Sequence, residues 1–194
     1  RIKEVELYPY KTLINRGLSS IMVAHLNIPS LEPRDGYPSS ISKSIVNDIL
    51  KNDLQFEGLI FTDALNMKGA SNFKSPGLID LEAFKAGNDV LLISEDIPKA
   101  ILKIREAIID GIISEERLEY SVKKILMAKY KCGLNNYKRV STINLIEDLN
   151  RLKDKIHYEN LAEHAITVVK NSKEQLPVKN LINRKIGYLA LGDS

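Results

Sequence analysis

Residues 57–70 read Glu-Gly-Leu-Ile-Phe-Thr-Asp-Ala-Leu-Asn-Met-Lys-Gly-Ala, and within them a short apolar run, Leu59-Ile60-Phe61, ends abruptly in Thr62 and Asp63. An ionised carboxylate can attack carbon as a nucleophile if a fold holds it at a ligand site. A run of this kind, flanked by Gly58 and polar residues, suits a strand buried on both faces of a parallel sheet. Asp63 at its carboxyl end would then face the mouth of an α/β fold, where ligands bind. The competing role is local: Asp is common just after strands, where it caps a turn. His25 ends a second apolar run, Ile21-Met22-Val23-Ala24, in the same way.

The elements that must position these residues recur along the chain. Apolar runs begin at residues 21, 59 and 90, the third being Val90-Leu91-Leu92-Ile93 before Ser94, and this is the spacing of successive βα units. Helices are legible between and after them. Ser42 is placed to cap a helix with Ile45, Val46, Ile49 and Leu50 on one face. Asp80 can cap a short helix carrying Leu81 and Phe84, with Gly87 past its end. Asp96 and Pro98 open a helix lined by Ile101, Ile104, Ile108 and Ile109, and Gly111 stops it. Ser114 begins a fourth, with Glu115 and Glu116 in its first turn and Leu118, Val122, Ile125 and Leu126 as its expected buried stripe. Gly133 closes it. Strand–helix alternation of this kind predicts a parallel sheet with right-handed crossovers.

The pattern changes near Leu134. Residues 135–144 read as a linker, and a long amphipathic helix is predicted over roughly 145–165. A β-prone run follows at Ile166–Val169, and Ile186–Leu191 looks like one more buried strand. A second domain therefore begins near residue 145 and is cut off at residue 194.

Bulk properties exclude several classes. The chain has 194 residues, 44% hydrophobic and 27% charged, which is an ordinary globular composition. Its 28 basic and 25 acidic residues leave a net charge of +3. The lysines are spread along the chain, and the small groups Lys123-Lys124 and Lys129/Lys131 are solvated helix faces. No nucleic-acid surface is read from them. No apolar stretch approaches the ~20 residues that a membrane span needs. Cys132 is the single cysteine, and no Cys/His cluster has zinc spacing, so no metal and no cofactor is expected. His157 and His164, two turns apart on one helix, read as structural or exposed. Glu95 and Asp96 could reach the mouth beside Asp63, although capping is the simpler role for Asp96. Gly58 and Gly69 belong to no phosphate-cradling motif. The chain opens on Arg1-Ile2-Lys3 without an initiating Met or signal sequence, as an excised or processed piece would.

The segment around Asp63 resembles glycoside hydrolase family 3, in its β-N-acetylglucosaminidase branch. That branch carries a strand ending in Ser/Thr-Asp, a Met four residues on, and Gly-Ala. Here these are Thr62, Asp63, Met67, Gly69 and Ala70. The order of neighbouring segments is similar too. Met22-Val23-Ala24-His25, Ile28-Pro29 and Pro38-Ser39-Ser40-Ile41-Ser42 look like the preceding strand and loop. Ala86-Gly87-Asn88-Asp89-Val90-Leu91 looks like the next strand. Leu161-Ala162, Val168-Val169-Lys170-Asn171 and Leu176-Pro177 are similar to the entry into a second domain.

The resemblance implies an α/β chain: the C-terminal portion of a (β/α)8-type barrel, residues 1–134 with its last three βα units, followed by the beginning of an α/β sandwich domain at 145–194. It implies a retaining glycosidase, exo-acting on terminal β-N-acetylglucosaminides, with Asp63 as the nucleophile. Such chemistry needs an ionised carboxylate and a second group that protonates the leaving oxygen and later activates water. In this branch that group is a His paired with Asp on a Lys-His-x-Pro-Gly-His-Gly loop. That motif does not occur here and would lie upstream of Arg1. His25 is expected to line the sugar pocket, or else to be hydrogen-bonded near the barrel mouth. Met67 is expected to wall the pocket, or else to fill core. The residue after the nucleophile, often acidic in the branch, is Ala64.

The expected partner is a carbohydrate substrate. Other readings are a β-glucosidase of the same family, or an inactive fragment or carbohydrate-binding remnant. An open barrel edge would invite self-association of the piece. A Gly192-Asp193-Ser194 turn resembles that of some esterases, although there it lies near the amino end. Relatives act either in the cytoplasm or outside it.

Overall fold

The computed structural model describes residues 1–172, 174, 176–179, 181–183, 185, 187 and 189. The chain divides into two compact units, Arg1–Tyr137 and Lys138–Ser194.

In the first unit, β1 (Ser20–Val23) and β2 (Leu59–Thr62) pair in parallel, with Ser20 opposite Leu59 and Val23 opposite Thr62. Their side chains alternate between two faces. On one face Ile21, Val23 and Ile60 pack with Val46, Leu50, Phe56 and Ala86. Complete burial of Ile60 alone contributes about 1.5–3 kcal/mol. On the other face Ser20 and Met22 are exposed, and Leu59 and Phe61 are half-buried. Gly58 enters β2 where no side chain fits, since a Cβ would stand 2.5 Å from the Phe56 ring and from the Ser19 carbonyl.

The third expected strand is cut to a single parallel bridge, Phe61 to Val90. Two causes are visible. The Leu92 N–H donates to the Thr62 hydroxyl at 2.9 Å instead of continuing the ladder. Ile93 then turns out of extended geometry with φ 45°.

The α-helices of this unit are α1 (Tyr8–Ile14), α2 (Lys68–Ser71), α3 (Leu78–Ala86), α4 (Ile97–Ile109) and α5 (Glu115–Lys131), with π-wound helices at Ile2–Glu6 and Ser44–Asp53. Their ends follow side-chain chemistry. The hydroxyl of Ser42 accepts from the Ile45 N–H at 3.3 Å, Asp96 from the Lys99 N–H at 3.1 Å and Ser114 from the Arg117 N–H at 3.2 Å. Asp80 does not cap α3 as expected. Gly77 holds that position, and Asp80 reaches back from inside the first turn to its N–H at 3.1 Å. On α4 the buried residues are Ala100 and Ala107, flanked by Ile104 and Ile108, while Ile101 and Ile109 are exposed. The two alanines let α4 approach Leu81 and Phe84 of α3 closely, so the contact strip is narrower than the apolar stripe.

Helix α5 departs furthest from its apolar pattern. Leu118, Val122 and Leu126 are exposed, and the one buried residue is Ser121. The cause is Asp89, whose side chain is wholly inaccessible. Its carboxylate accepts from the Ile60 N–H at 3.1 Å, the Ser121 hydroxyl at 2.6 Å and the Lys124 ammonium at 2.6 Å. Arg117 lies 3.7 Å away and donates to the Asn88 carbonyl at 2.7 Å. A carboxylate is buried only with such partners, so α5 turns its Arg117–Ser121–Lys124 side inward, a spacing that shares one helix face. Nearby, Lys51 packs over the Gly87 backbone. Burial, and then the neighbouring Arg117, push its ammonium down to about 8 against the opposing pull of Asp89.

In the second unit the single helix expected over 145–165 is two, α6 (Leu145–Leu149) and α7 (Leu152–Ala165). Asn150 leaves helical geometry, and its amide donates to the Ile146 carbonyl at 2.7 Å, satisfying an acceptor at the helix end. The β-prone run Ile166–Val169 forms no strand, since no neighbouring strand among the described residues offers it a ladder. The strand expected over Ile186–Leu191 and the Gly192-Asp193-Ser194 turn lie outside the described residues apart from Gly187 and Leu189.

Replacing Asp89 by Ala leaves Lys124 and Arg117 buried against each other, and should cost roughly 3–5 kcal/mol in urea unfolding of the chain. A loss under 1 kcal/mol would show that the cluster is dispensable. The Lys51→Met variant should be more stable than the parent at pH 7, because the folded parent carries an ammonium that burial disfavours. That gap should close as pH rises from about 8 to about 10, where the folded state has released the proton and the unfolded state still holds it. A gap independent of pH would contradict the assignment.

Candidate active site

The β1–β2 pairing carries Asp63 to the carboxyl ends of both strands. Its N–H donates to the Val23 carbonyl at 2.9 Å, one step beyond the Val23–Thr62 pair. By the alternation of β2, Asp63 falls on the face of Phe61 and away from the helix-packed face of Ile60 and Thr62. It is half-buried. The Ala64 N–H donates to Asp63 Oδ1 at 2.8 Å. No other donor among the described residues reaches this carboxylate, so Oδ2 has no protein partner there.

His25 ends β1's segment as Asp63 ends that of β2, and a ring of hydrogen bonds joins the two ends. Its Nε2 lies 2.9 Å from the Ala64 carbonyl and its Nδ1 2.6 Å from the Ser40 hydroxyl. Both nitrogens therefore meet protein groups. The same Ala64 carbonyl accepts from the Met67 N–H at 3.0 Å, closing the turn after Asp63. Met67 itself is 49% exposed, so it fills no core. Gly69 lies against the ring, and a Cβ there would meet that of His25 at 3.2 Å.

Ser40 is held in place by the loop after β1. The Ser39 N–H donates to the Leu26 carbonyl at 2.8 Å, and its hydroxyl to the Ala24 carbonyl at 2.6 Å. The Asn88 amide fixes the Ser40 carbonyl at 2.8 Å. Further along, Glu32 is buried in a two-point pair with Arg34 at 2.7 Å and receives the Ser42 hydroxyl at 2.6 Å. The Arg34 guanidinium holds its carboxyl at about 2, well under the usual range. The contacts of Ser40 and Glu32 are not foreseen from the sequence, where Ser40 is part of a family-like segment only. The hint was the serine-rich Pro38–Ser42 stretch, which carries hydroxyls suited to binding backbone and side chains.

Other expected residues fall elsewhere. Asp96 caps α4 and pairs with Lys99 at 2.8 Å. His157 and His164 are exposed on α7 in the second unit. Among the described residues no group of His, Cys, Asp and Glu could hold a metal ion. Two cavities, of about 370 and 460 Å³, are not lined by Asp63. The first is polar, between Arg34, Lys43, Glu82 and Arg117, and the second is apolar along β1, against Tyr10, Met22 and Ile49.

Chemically, the site offers one anchored carboxylate with a free oxygen, beside an imidazole already committed at both nitrogens. It can donate an electron pair to an electrophilic carbon. Among the described residues, none is seen beside Asp63 that offers a second carboxylate or imidazole free to protonate a leaving group.

Comparison with known proteins identifies the family of the first unit. Residues 1–128 match the model of the glycosyl hydrolase family 3 N terminal domain. The chain is 27% identical over 177 residues to a β-N-acetylglucosaminidase/β-glucosidase of Cellulomonas fimi, covering 87% of this chain and 31% of that protein. It is 28% identical to a β-hexosaminidase of Nitrosomonas eutropha, covering 86% of this chain and 44% of that one. It thus spans under half the length of these relatives. Among solved structures, a family 3 β-N-acetylglucosaminidase from a Paenibacillus strain superposes with a TM-score of 0.68 at 31% identity, over 73% of this chain and 27% of that one. The likeness gives the first unit an α/β barrel-type fold.

One strained residue borders the site. Ile93 follows the Leu92 N–H bond to Thr62, and the Leu92 carbonyl is held by the Leu65 N–H at 2.9 Å. A β-branched residue at positive φ costs about 1–2 kcal/mol, and Ile93 is too exposed to repay it by burial. The Ile93→Asn variant, tolerant of this geometry, should be about 1 kcal/mol more stable in urea unfolding. An equal or lower stability would place the strain elsewhere.

Proposed function

This chain belongs to glycosyl hydrolase family 3, and from that premise we propose that the protein is a retaining glycosidase that releases terminal β-linked N-acetylglucosamine through a glycosyl-enzyme on Asp63. The observation that carries the reading is the half-buried Asp63 carboxylate at the ends of two parallel strands, with Oδ1 anchored by the Ala64 N–H. The anchor keeps the carboxylate oriented, and the remaining oxygen attacks the anomeric carbon while the aglycone departs. Water then displaces Asp63 from the sugar. A residue outside this chain protonates the leaving oxygen and later takes the proton from water, since His25 has no nitrogen to spare. Met67, exposed at the start of α2, forms an apolar side of the sugar site.

The double name of the Cellulomonas relative supports a second substrate reading, β-glucosides. The ratio of kcat/KM for 4-nitrophenyl N-acetyl-β-glucosaminide to that for the β-glucoside separates the two, and should favour the N-acetyl sugar. Residues 1–194 alone should show no turnover.

In the full-length protein, Asp63→Ala should lower kcat by roughly 10³-fold or more. Added azide should restore product release by taking the place of the lost carboxylate, giving a glycosyl azide of inverted configuration. Activity within tenfold of the parent, or no response to azide by an inactive variant, counts against Asp63 as nucleophile.

A further inference from the structure

We propose that His25 is a positioning residue for Asp63, locked in one tautomer by Ser40 and acting through the Ala64 carbonyl. The inference rests on Asp63 being the nucleophile.

A carbonyl oxygen only accepts, so His25 Nε2, 2.9 Å from the Ala64 oxygen, carries a proton and donates it. The Ser40 residue is wholly buried, and its hydroxyl has no other partner among the described residues. Its hydrogen therefore goes to Nδ1 at 2.6 Å, which leaves Nε2 as the ring nitrogen that carries the proton. Ser40 in turn is fixed by Asn88 through its carbonyl, and Asn88 also donates to the Ala83 carbonyl at 2.7 Å. The ring thus ties the turn after Asp63 to the end of α3.

The turn is what gains. Ala64 is held at both ends, its N–H on Asp63 Oδ1 and its carbonyl on His25 Nε2 and the Met67 N–H. Without the His25 bond the carbonyl is held by the Met67 N–H alone, and the looser turn no longer fixes the N–H that orients the carboxylate. Gly69 belongs to the same device, because a side chain there would press on the His25 Cβ from 3.2 Å. A displacement of about 1 Å at a reacting group costs about 10²-fold in rate.

Three variants of the full-length protein test this: His25→Leu, which removes the donor; His25→Gln, whose amide N–H reaches about as far as Nε2; and Ser40→Ala, which releases the tautomer. Turnover is measured beside the rate at which a 5-fluoro glycosyl fluoride inactivates the enzyme by labelling Asp63. His25→Leu should lower kcat and the labelling rate together by about 10²-fold with little change in KM. His25→Gln should recover most of the loss, and Ser40→Ala should fall between. Nitrogen NMR of the unsubstituted full-length protein should show His25 protonated on Nε2, a result independent of any variant's folding.

Labelling of Asp63 at the parent rate in His25→Leu, a Gln variant no better than Leu, or a ring protonated on Nδ1 overturns the proposal while leaving the nucleophile in place. Label on another residue in the unsubstituted enzyme overturns both.

Discussion

The hydrogen bond from the Asp63 N–H to the Val23 carbonyl, at 2.9 Å, is the last rung of the β1–β2 ladder, and it decides where the reactive oxygen stands. Parallel strands in fixed register bring two chain segments to one edge at the same height. The residues that follow them, His25 and Asp63, therefore leave the sheet side by side. A one-residue slip of β2 would turn Ile60 out of the core and swing Asp63 to the helix-packed face. The apolar burial that sets the register is thus also what aims the carboxylate.

A second constraint acts at the opposite end of the same strands. Asp89 ties the start of β2 to α5 through the Ile60 N–H, Ser121 and Lys124. Burying a carboxylate dictates the chemistry of the helix that covers it, and α5 meets the sheet with an arginine, a serine and a lysine. The arrangement gives up apolar contact for specificity of docking: only one rotation of α5 satisfies Asp89. The neighbouring Asn88 joins this end to the site, since its side chain holds Ser40 and through it His25.

Much of this was legible in local sequence. An apolar run ending in Thr62-Asp63 pointed to a strand with a carboxylate at its exit, and Asp63 does stand one residue past β2. Ser42, Asp96 and Ser114 were readable as caps because capping depends on a residue and its next three neighbours. Illegible features depended on partners far along the chain. The apolar residues of α5 suggested the wrong face, because Asp89, which selects the polar one, precedes that helix by a whole βα segment. The pairing of His25 with Ser40 needed the folding back of the intervening loop. The third strand shortened because a threonine hydroxyl competed with the ladder, and the predicted helix over 145–165 broke where Asn150 found its own acceptor. Each of these is a case of a side chain displacing a backbone pattern.

The most direct measurement of the central claim is peptide mapping of the full-length protein after trapping with a fluorinated glycosyl fluoride. The sugar should be found on the peptide containing Thr62-Asp63-Ala64, bonded through the Asp63 carboxylate. A covalent sugar on any other side chain would contradict it.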